Sequence, residues 1–452
     1  MASVLKSVYS QHAFAAALGL FIASGVTPAG AADLGGNCCA DLEERIAELE
    51  ATTARKGNRK VSLTISGWVN EAVFLWDDGT ERNAYVGTNS LEQSRVKLQG
   101  EAKIDGDWSA GYTLEVGVAG HPSNQWDQTG PGSTSTTPTS QDNALVVRKS
   151  NWWIKNKDVG KLTVGLEGSA TYHLLDDADG ANTRNYSDYE AAAVAQGRFF
   201  VRNSVGGLIN SGGNLRWSDV LRGPNNASPG QDGRRNIVRY DTPEFAGFVA
   251  TASWGEDDMW GVALTYKGTV GDFKLVGKAG YEHNADEGTS ACSSNADRGS
   301  IGLDCEWWGV AGTVMHAPTG LYVYAGYGEQ RDNSEEDANF RADGTDQMWF
   351  IQAGIERKWH PLGATTIFGE YRHDDAGSNL SKSLGGGVTA TNFIHDSSLN
   401  FWAAGVVQNI DAAAMDLYVI YRHADGDVTN FGGLNAKLDN FDMLITGARI
   451  QF

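Results

Sequence analysis

The chain has 452 residues, a formal net charge of -20 and a mean hydropathy of -0.34. The acidic balance argues against nucleic acid as a partner, because nucleic acid carries charge of the same sign. No apolar run after the N-terminal region reaches the roughly 18 residues that a membrane-spanning helix needs. A membrane protein built from strands would nevertheless also have a polar average, because its apolar residues are spread over alternate positions.

The N-terminal 31 residues have the pattern of a secretory signal peptide. Lys6 precedes an apolar core from Ala13 to Val26, and Ala29-Gly30-Ala31 is a small-x-small cleavage motif. A lone membrane anchor is the alternative, but the apolar stretch is short for one. We expect cleavage near Ala31 and a mature chain that is periplasmic, secreted or in the outer membrane.

Residues 32–58 are predicted to form a short helix and a linker. Leu42, Ile46 and Leu49 recur at heptad spacing within Ala40–Thr53. Two heptads are too few for a stable isolated coiled coil. The segment could therefore be either a small oligomerisation element or a solvated amphipathic helix, on the periplasmic side if the chain is a barrel.

From residue 59 to residue 452 the sequence alternates apolar and polar residues in short segments. Val96 and Leu98, for example, alternate with Arg95 and Lys97, as expected of a strand with two different faces. Counting such segments predicts sixteen strands, five before and eleven after a long interruption at residues 169–234. Eighteen strands is the rival prediction, because two segments inside the interruption could form an extra hairpin: Arg198–Val205 and Asn214–Leu221.

Short and long connections alternate along these strands. The short ones fall near Asp105, Asn156 and Pro243 and continue in this way to Asp411, with Gly-, Ser- and Asp-rich loops between them. Short turns at one end and long loops at the other are typical of a transmembrane antiparallel β-barrel. Aromatic residues near the strand ends and a terminal Phe452 fit this fold, whereas a soluble secreted β-protein such as a lectin remains the alternative.

The interruption at residues 169–234 is too long for an ordinary connection. We expect it to fold into the bore of the barrel as a constriction loop. Ser187 and Glu190 match a capping box, which predicts a short helix over Tyr189–Gln196 that ends at Gly197. The first half of the loop is predicted to reach the bore, and the second half to return to the rim.

Charged residues in the loop and on lumen-facing strand positions are the candidates for the pore constriction. The acidic candidates are Asp176, Asp177, Asp179, Asp188 and Glu190, and the basic wall candidates are Arg95, Lys97, Arg148, Arg235 and Arg239. Acids that face bases across a gap would create a transverse field that orients polar solutes. The alternatives are that the acids lie in a solvated surface loop and that the bases simply line a wet lumen.

Cysteine and histidine spacing gives little sign of a chemical centre. Cys292 and Cys305 would close a short loop between two strands and are a disulfide candidate in an oxidising compartment, with free thiols as the alternative. The histidines lack metal-ligand spacing, and no Gly-x-Ser-x-Gly motif or phosphate loop occurs. We therefore predict no enzyme, no metal and no cofactor.

Two stretches resemble a known family. The segment Arg239–Phe248 (RYDTPEFAGF) and the segment Cys39–Glu50, which leads into Val61–Gly67, are together with Phe452 similar to those of Gram-negative trimeric outer-membrane porins, in particular the alphaproteobacterial porins. The resemblance implies a sixteen-stranded barrel, a homotrimer and a third outer loop that folds inward. It departs from the enterobacterial branch, because the Pro-Glu-Phe-Gly-Gly type of motif is absent from residues 169–234.

The function that the resemblance implies is passive diffusion of small hydrophilic solutes and ions through a water-filled channel. The expected surroundings are outer-membrane lipid and lipopolysaccharide. Two alternatives remain at this point: a surface receptor or adhesin that uses its outer loops, and a substrate-selective porin.

Overall fold

The computed structural model describes most of the chain from residue 61 onward: residues 61–130, 143–183, 197–209, 215–221, 228–231, 233–256, 258–286, 292, 303–334, 342–385, 389 and 391–452. The expected signal peptide, the predicted helices Ala40–Thr53 and Tyr189–Gln196, and the acids Asp188 and Glu190 lie outside the described residues. None of the described helices is long and apolar enough to cross a membrane.

The described residues form nineteen strands in one antiparallel sheet. In chain order they are β1 (Thr64–Asp77), β2 (Arg82–Thr88), β3 (Arg95–Asp105), β4 (Trp108–Gly120), β5 (Asn143–Asn156), β6 (Gly160–Gly168), β7 (Arg234–Asp241), β8 (Phe248–Gly255), β9 (Met259–Val270), β10 (Phe273–Asn284), β11 (Cys305–His316), β12 (Leu321–Asp332), β13 (Thr345–His360), β14 (Gly363–Ala376), β15 (Asn379–Ser383), β16 (Phe393–Ile410), β17 (Met415–Asn430), β18 (Asn435–Lys437) and β19 (Phe441–Gln451). The described ranges also contain the α-helix α1 (Trp217–Leu221) and 3-10 turns at Ser90–Glu92, Ser123–Gln125, Asp176–Ala178 and Asp411–Ala413.

The sheet closes into a barrel of sixteen strands, as the sequence predicts. Strand β1 pairs with β19 on one side and with both β2 and β3 on the other, so that β2 and β3 are two parts of one barrel strand. Strands β15 and β18 are short additions beside β16 and β17. The eighteen-strand alternative is wrong, because the segments that suggested it pair within the loop itself, through bridges such as Phe200 to Arg216.

The two ends of the barrel differ in the length of their connections, as the sequence predicts. Gly67 and Phe452 exchange two backbone hydrogen bonds of 3.0 Å, which joins the end of the chain to the start of β1. Tight turns occupy the same end of the barrel, and two of them contain glycines in the left-handed region, Gly106 (φ 52°) and Gly271 (φ 58°). The long connections lie at the opposite end, where residues 169–233 form the third connection in chain order.

The outer face of the barrel carries apolar side chains at alternate positions. Val310 and Ile351 are exposed in the middle of their strands. Toward the long-loop end, aromatic rings on neighbouring strands touch one another, with ring centroids 4.9 Å apart for Trp308 and Tyr327 and 4.3 Å apart for Tyr371 and Trp402. This aromatic band is where a barrel meets the interface of a membrane.

The inner face divides into two sectors. From β11 through β19 to β1 it is largely apolar and buried, and includes Tyr324, Phe350 and Ile445. An unpredicted break between β2 and β3 folds Leu91 into this apolar sector, where the Asn89 side chain donates a hydrogen bond of 3.1 Å to Tyr418. From β3 to β10 the inner face is more polar and includes Lys97, Thr251 and Lys278.

Candidate functional site: the loop inside the barrel

The first part of the long loop, residues 169–183, is called the inner segment here. It lies against the inner wall, because it bonds to inward-facing side chains of successive strands. These bonds run from β8 to β13: Ala170 N–H to Ser253 Oγ (2.9 Å), Thr313 Oγ1 to the Ala178 carbonyl (2.6 Å), Tyr324 Oη to the Leu175 carbonyl (2.5 Å) and Thr183 Oγ1 to Gln352 Oε1 (3.0 Å). The inner segment therefore lies against the inside of the barrel wall.

The inner segment is tied at its base to the returning end of the same loop. The Ser169 N–H donates to the Gly233 carbonyl at 2.7 Å, and Thr171 Oγ1 lies 2.6 Å from the Gly230 carbonyl oxygen. The buried Glu282 of β10 accepts hydrogen bonds from hydroxyls on both parts, Thr171 and Ser228. One wall carboxylate thus holds the beginning and the end of the loop together.

The later part, residues 197–209 and 215–221, is called the outer segment here. It packs at the long-loop end of the barrel, where Arg202 forms ion pairs of 2.6 Å with Asp78 and 2.8 Å with Glu81. Phe199 is fully buried among aromatic residues of the wall. The outer segment therefore lies close to the rim and covers the apolar sector.

The contact between Asp78 and the outer segment should depend on pH. Burial alone would raise the pKa of Asp78, but the pKa lies below its ordinary value of 3.8 because four hydrogen-bond donors favour the carboxylate: Glu81 N–H, Arg202, Gln128 and Thr80 N–H. A carboxylate whose pKa is lowered by folding stabilises the fold above its unfolded pKa, and this stability is lost as the pH falls through the folded pKa.

We therefore expect the outer segment to loosen as the pH falls below 3.8, with little change above it. Channel current noise measured between pH 7 and pH 2 should rise only in the acid range. Asp78→Asn should already be noisy at pH 7 and respond less to acid. An acid response of the same size in Asp78→Asn would contradict this role of Asp78.

Between the inner segment and the polar sector lies a cavity of about 350 Å³. Its wall side is formed by strands β1 to β10 and its loop side by residues of the inner segment. Its polar and charged lining consists of Glu92, Arg95, Lys97, Glu115, Lys149, Tyr172, His173, Asp177, Arg239, Thr251, Thr265 and Lys278.

The predicted basic residues occupy different positions around this cavity. Arg95, Lys97 and Arg239 line it. Arg148 lies just outside the lining and bonds to Glu115 at 3.0 Å. Arg235 also lies outside it and donates to the Arg234 carbonyl at 2.9 Å.

Arg95 and Arg239 are held in place by several partners. Arg95 lies 2.6 Å from Glu92 and 3.3 Å from Glu115, and its guanidinium stacks 4.4 Å over the ring of Trp68. Arg239 is paired with Asp241 at 2.9 Å and donates to the carbonyls of the loop start, Gly168 and Ser169, at 3.1 Å each. Both side chains therefore have a fixed geometry.

Of the three predicted acidic residues in the inner segment, one lines the cavity and two do not. Asp177 lines the cavity and pairs with Lys278 of β10 at 3.2 Å. Asp176 is fully buried, and its carboxylate lies 2.8 Å from His173 Nδ1. Asp179 accepts the N–H groups of Ala181 and Thr183 at 2.7 and 2.6 Å, so its carboxylate shapes the turn of the loop.

Four charged lining residues were not among the sequence candidates: Glu92, Glu115, Lys149 and Lys278. Lys149 follows a β-bulge at Arg148, where the pairing of β4 with β5 shifts register. A bulge sends two neighbouring side chains to the same face, which hides the pattern. Glu115 and Lys278 sit on regular alternation and could have been found from it, whereas Glu92 lies in the unpredicted break after β2.

Cys292 and Cys305 form a disulfide with a Cα–Cα distance of 5.9 Å. The bond joins the long loop after β10 to the first residue of β11, and neither cysteine lines the cavity. Among the residues that the structure describes, no group of histidine, cysteine and acidic side chains is arranged to hold a metal ion.

A closed sixteen-stranded barrel with a loop folded into its lumen defines a channel protein. The chain matches the model of the Gram-negative porin family over residues 13–437, and it belongs to that family. No curated protein matches the chain.

Several solved structures are similar to the chain. An anion-selective porin from Comamonas acidovorans is 14% identical with a TM-score of 0.53, over 87% of this chain and 100% of that one. OmpT, an outer membrane protein of Vibrio cholerae, is 15% identical with a TM-score of 0.49, over 88% and 99% of the two chains. OmpF of Salmonella typhi, solved with daunomycin, is 13% identical with a TM-score of 0.49, over 87% and 98%.

The family and the fold together give the location and the general activity. The protein is a β-barrel channel of the outer membrane that lets small hydrophilic solutes cross by passive diffusion. The family and the fold are those of channels rather than of enzymes.

Proposed function

We propose that the protein is a general porin, exported with residues 1–31 as its signal peptide, whose narrowest point is the cavity between the inner segment and the polar sector. The observation that carries this proposal is the 350 Å³ space lined by Lys97 and Arg239 on the wall and by Asp177 on the loop. Small ions and hydrophilic solutes fit such a polar opening, and larger solutes are held back by the loop.

The described acids and bases support only part of the transverse field that the sequence predicts. Asp177 faces the basic wall, but Asp176 and Asp179 are engaged in the folding of the loop. In our proposal the basic wall therefore dominates the field at the constriction, with Asp177 as its counterpart on the loop.

The outer face of β1 to β5 supports a homotrimer. At the level of the aromatic band, this face carries exposed aliphatic side chains where the other strands carry aromatic ones: Leu75, Val86, Val118 and Leu145. Glu71 points outward from the middle of β1, where it accepts a hydrogen bond of 2.9 Å from Thr88. A carboxylate at this depth is costly against lipid, so we propose that a second copy of the chain covers this face. Outer-membrane lipid and lipopolysaccharide surround the remaining strands.

Reconstitution into planar lipid bilayers tests the channel and the trimer together. We expect stable conductance steps that occur in groups of three, together with a trimer band on unheated gels. A folded protein that inserts but never conducts would overturn the porin proposal. Single steps with a monomer band would keep the channel and reject the trimer.

A further inference from the structure

The charge around the constriction has the opposite sign to the charge of the whole chain. Five cationic side chains line the cavity: Arg95, Lys97, Lys149, Arg239 and Lys278. Three carboxylates line it: Glu92, Glu115 and Asp177. The described lining therefore carries a net charge of 5 - 3 = +2, whereas the chain carries -20.

The carboxylates of the lining are already neutralised by neighbouring cations. Glu92 and Glu115 are almost fully buried, and both pair with Arg95. Asp177 pairs with Lys278. These carboxylates therefore attract a passing cation only weakly.

Lys97 differs from the other cations of the lining. Arg239 is paired with Asp241, and Lys149 is paired with Glu167. Within the described part of the chain, no ion pair involves Lys97, which is half-buried on the wall of the cavity. Its ammonium group is therefore the positive charge in the constriction that is most available to a solute.

We propose that Lys97 is the centre of a weak binding step for small anions, of the class of inorganic phosphate and short carboxylates, and that it makes the channel anion-preferring. This inference rests on the proposed function and names the solute class of the same constriction. A single available ammonium group, screened by water, attracts an anion without holding it, which is what conduction requires. The acidic total of the chain does not set the preference, because the field that acts on a solute is local at the constriction.

The reversal potential in a potassium chloride gradient tests the preference directly. The wild-type channel should pass chloride more readily than potassium. Lys97→Gln should lower the chloride-to-potassium permeability ratio about tenfold at low salt, because removal of one unit charge about 6 Å from the ion path in a water-like medium changes the permeability of each ion about threefold in opposite directions. The matched control is Lys103→Gln, which removes an exposed lysine of the same strand outside the cavity and should leave the ratio nearly unchanged.

A second measurement is the block of the chloride current by added anions. Inorganic phosphate or succinate added to the wild-type channel should reduce the chloride current in a saturable way, and Lys97→Gln should weaken this block while Lys103→Gln should not. A cation-preferring wild type, an absent block, or equal effects of the two substitutions would each overturn the proposal. The porin proposal would survive all three results, since it fails only if the protein does not conduct at all.

Discussion

Replacement of Phe199 by alanine is expected to detach the outer segment from the barrel wall. Phe199 is fully buried, and its ring centroid lies 5.0 Å from that of Trp76 and 5.0 Å from that of Phe441. Truncation removes the buried ring and leaves a cavity, which costs about 3–5 kcal/mol of unfolding free energy in well-packed cores. We expect the variant to unfold at lower urea concentration and to conduct with more current noise.

The matched control is Phe245→Ala, because Phe245 is 81% exposed in a short turn at the other end of the barrel. Urea unfolding of both variants from lipid vesicles, followed by tryptophan fluorescence, should show a clear loss of stability for Phe199→Ala alone. Phe199→Leu, which keeps part of the buried volume, should lie between the wild type and the alanine variant. Equal unfolding midpoints for the two alanine variants would show that the contacts of Phe199 with Trp76 and Phe441 do not hold the outer segment on the barrel wall.

The barrel itself could be predicted from the sequence because strand alternation has a fixed period. Arg95 and Lys97 on one face and Val96 and Leu98 on the other assign the inner and outer faces of β3 correctly. The count of sixteen strands follows from repetition of the same pattern. The rival count of eighteen is wrong because the two segments inside the loop have the same local pattern as barrel strands, whereas they pair with each other and not with the barrel sheet.

The lining of the constriction could be predicted only in part. Alternation carries no information about a loop, and so it could not show that Asp177 faces the cavity while its neighbour Asp176 is buried. It also fails at the bulge of Arg148, after which the expected side-chain directions are reversed. The break between β2 and β3, which places Glu92 in the lining, also has no alternation of apolar and polar residues from which it could be predicted.

Placement of the open lumen follows from tertiary packing, which the sequence pattern does not encode. The outer segment and the break at Leu91 fill the apolar sector between β11 and β1. The polar sector between β3 and β10 is left to form the wall of the channel. Residues that fix the loop therefore control the pore, although they do not line it.

Among the residues that fix the loop, Glu282 is the one whose replacement should change the pore most. It is fully buried on β10 and accepts hydrogen bonds from Thr171 at the start of the loop and from Ser228 near its end, the latter at 2.7 Å. Asn284 donates to the same Ser228 hydroxyl at 3.1 Å. Glu282→Ala would remove the side chain that bridges Thr171 and Ser228. The Thr171 hydroxyl would keep the Gly230 carbonyl at 2.6 Å, whereas the loss of its acceptor by the buried Ser228 hydroxyl costs about 1–3 kcal/mol.

We expect Glu282→Ala to fold as a barrel whose inner segment is no longer fixed at its base. Single-channel conductance should then increase and fluctuate, and liposome swelling should show entry of sugars that the wild type excludes. The matched control is Glu101→Ala, because Glu101 is an exposed inward-facing glutamate paired with Lys155 near the short-turn end. Glu282→Gln should be milder than the alanine variant, since its amide oxygen still accepts from one hydroxyl. If Glu282→Ala has the conductance, noise and size limit of Glu101→Ala, then the position of the loop is set by its wall contacts from β11 to β13 rather than by its base.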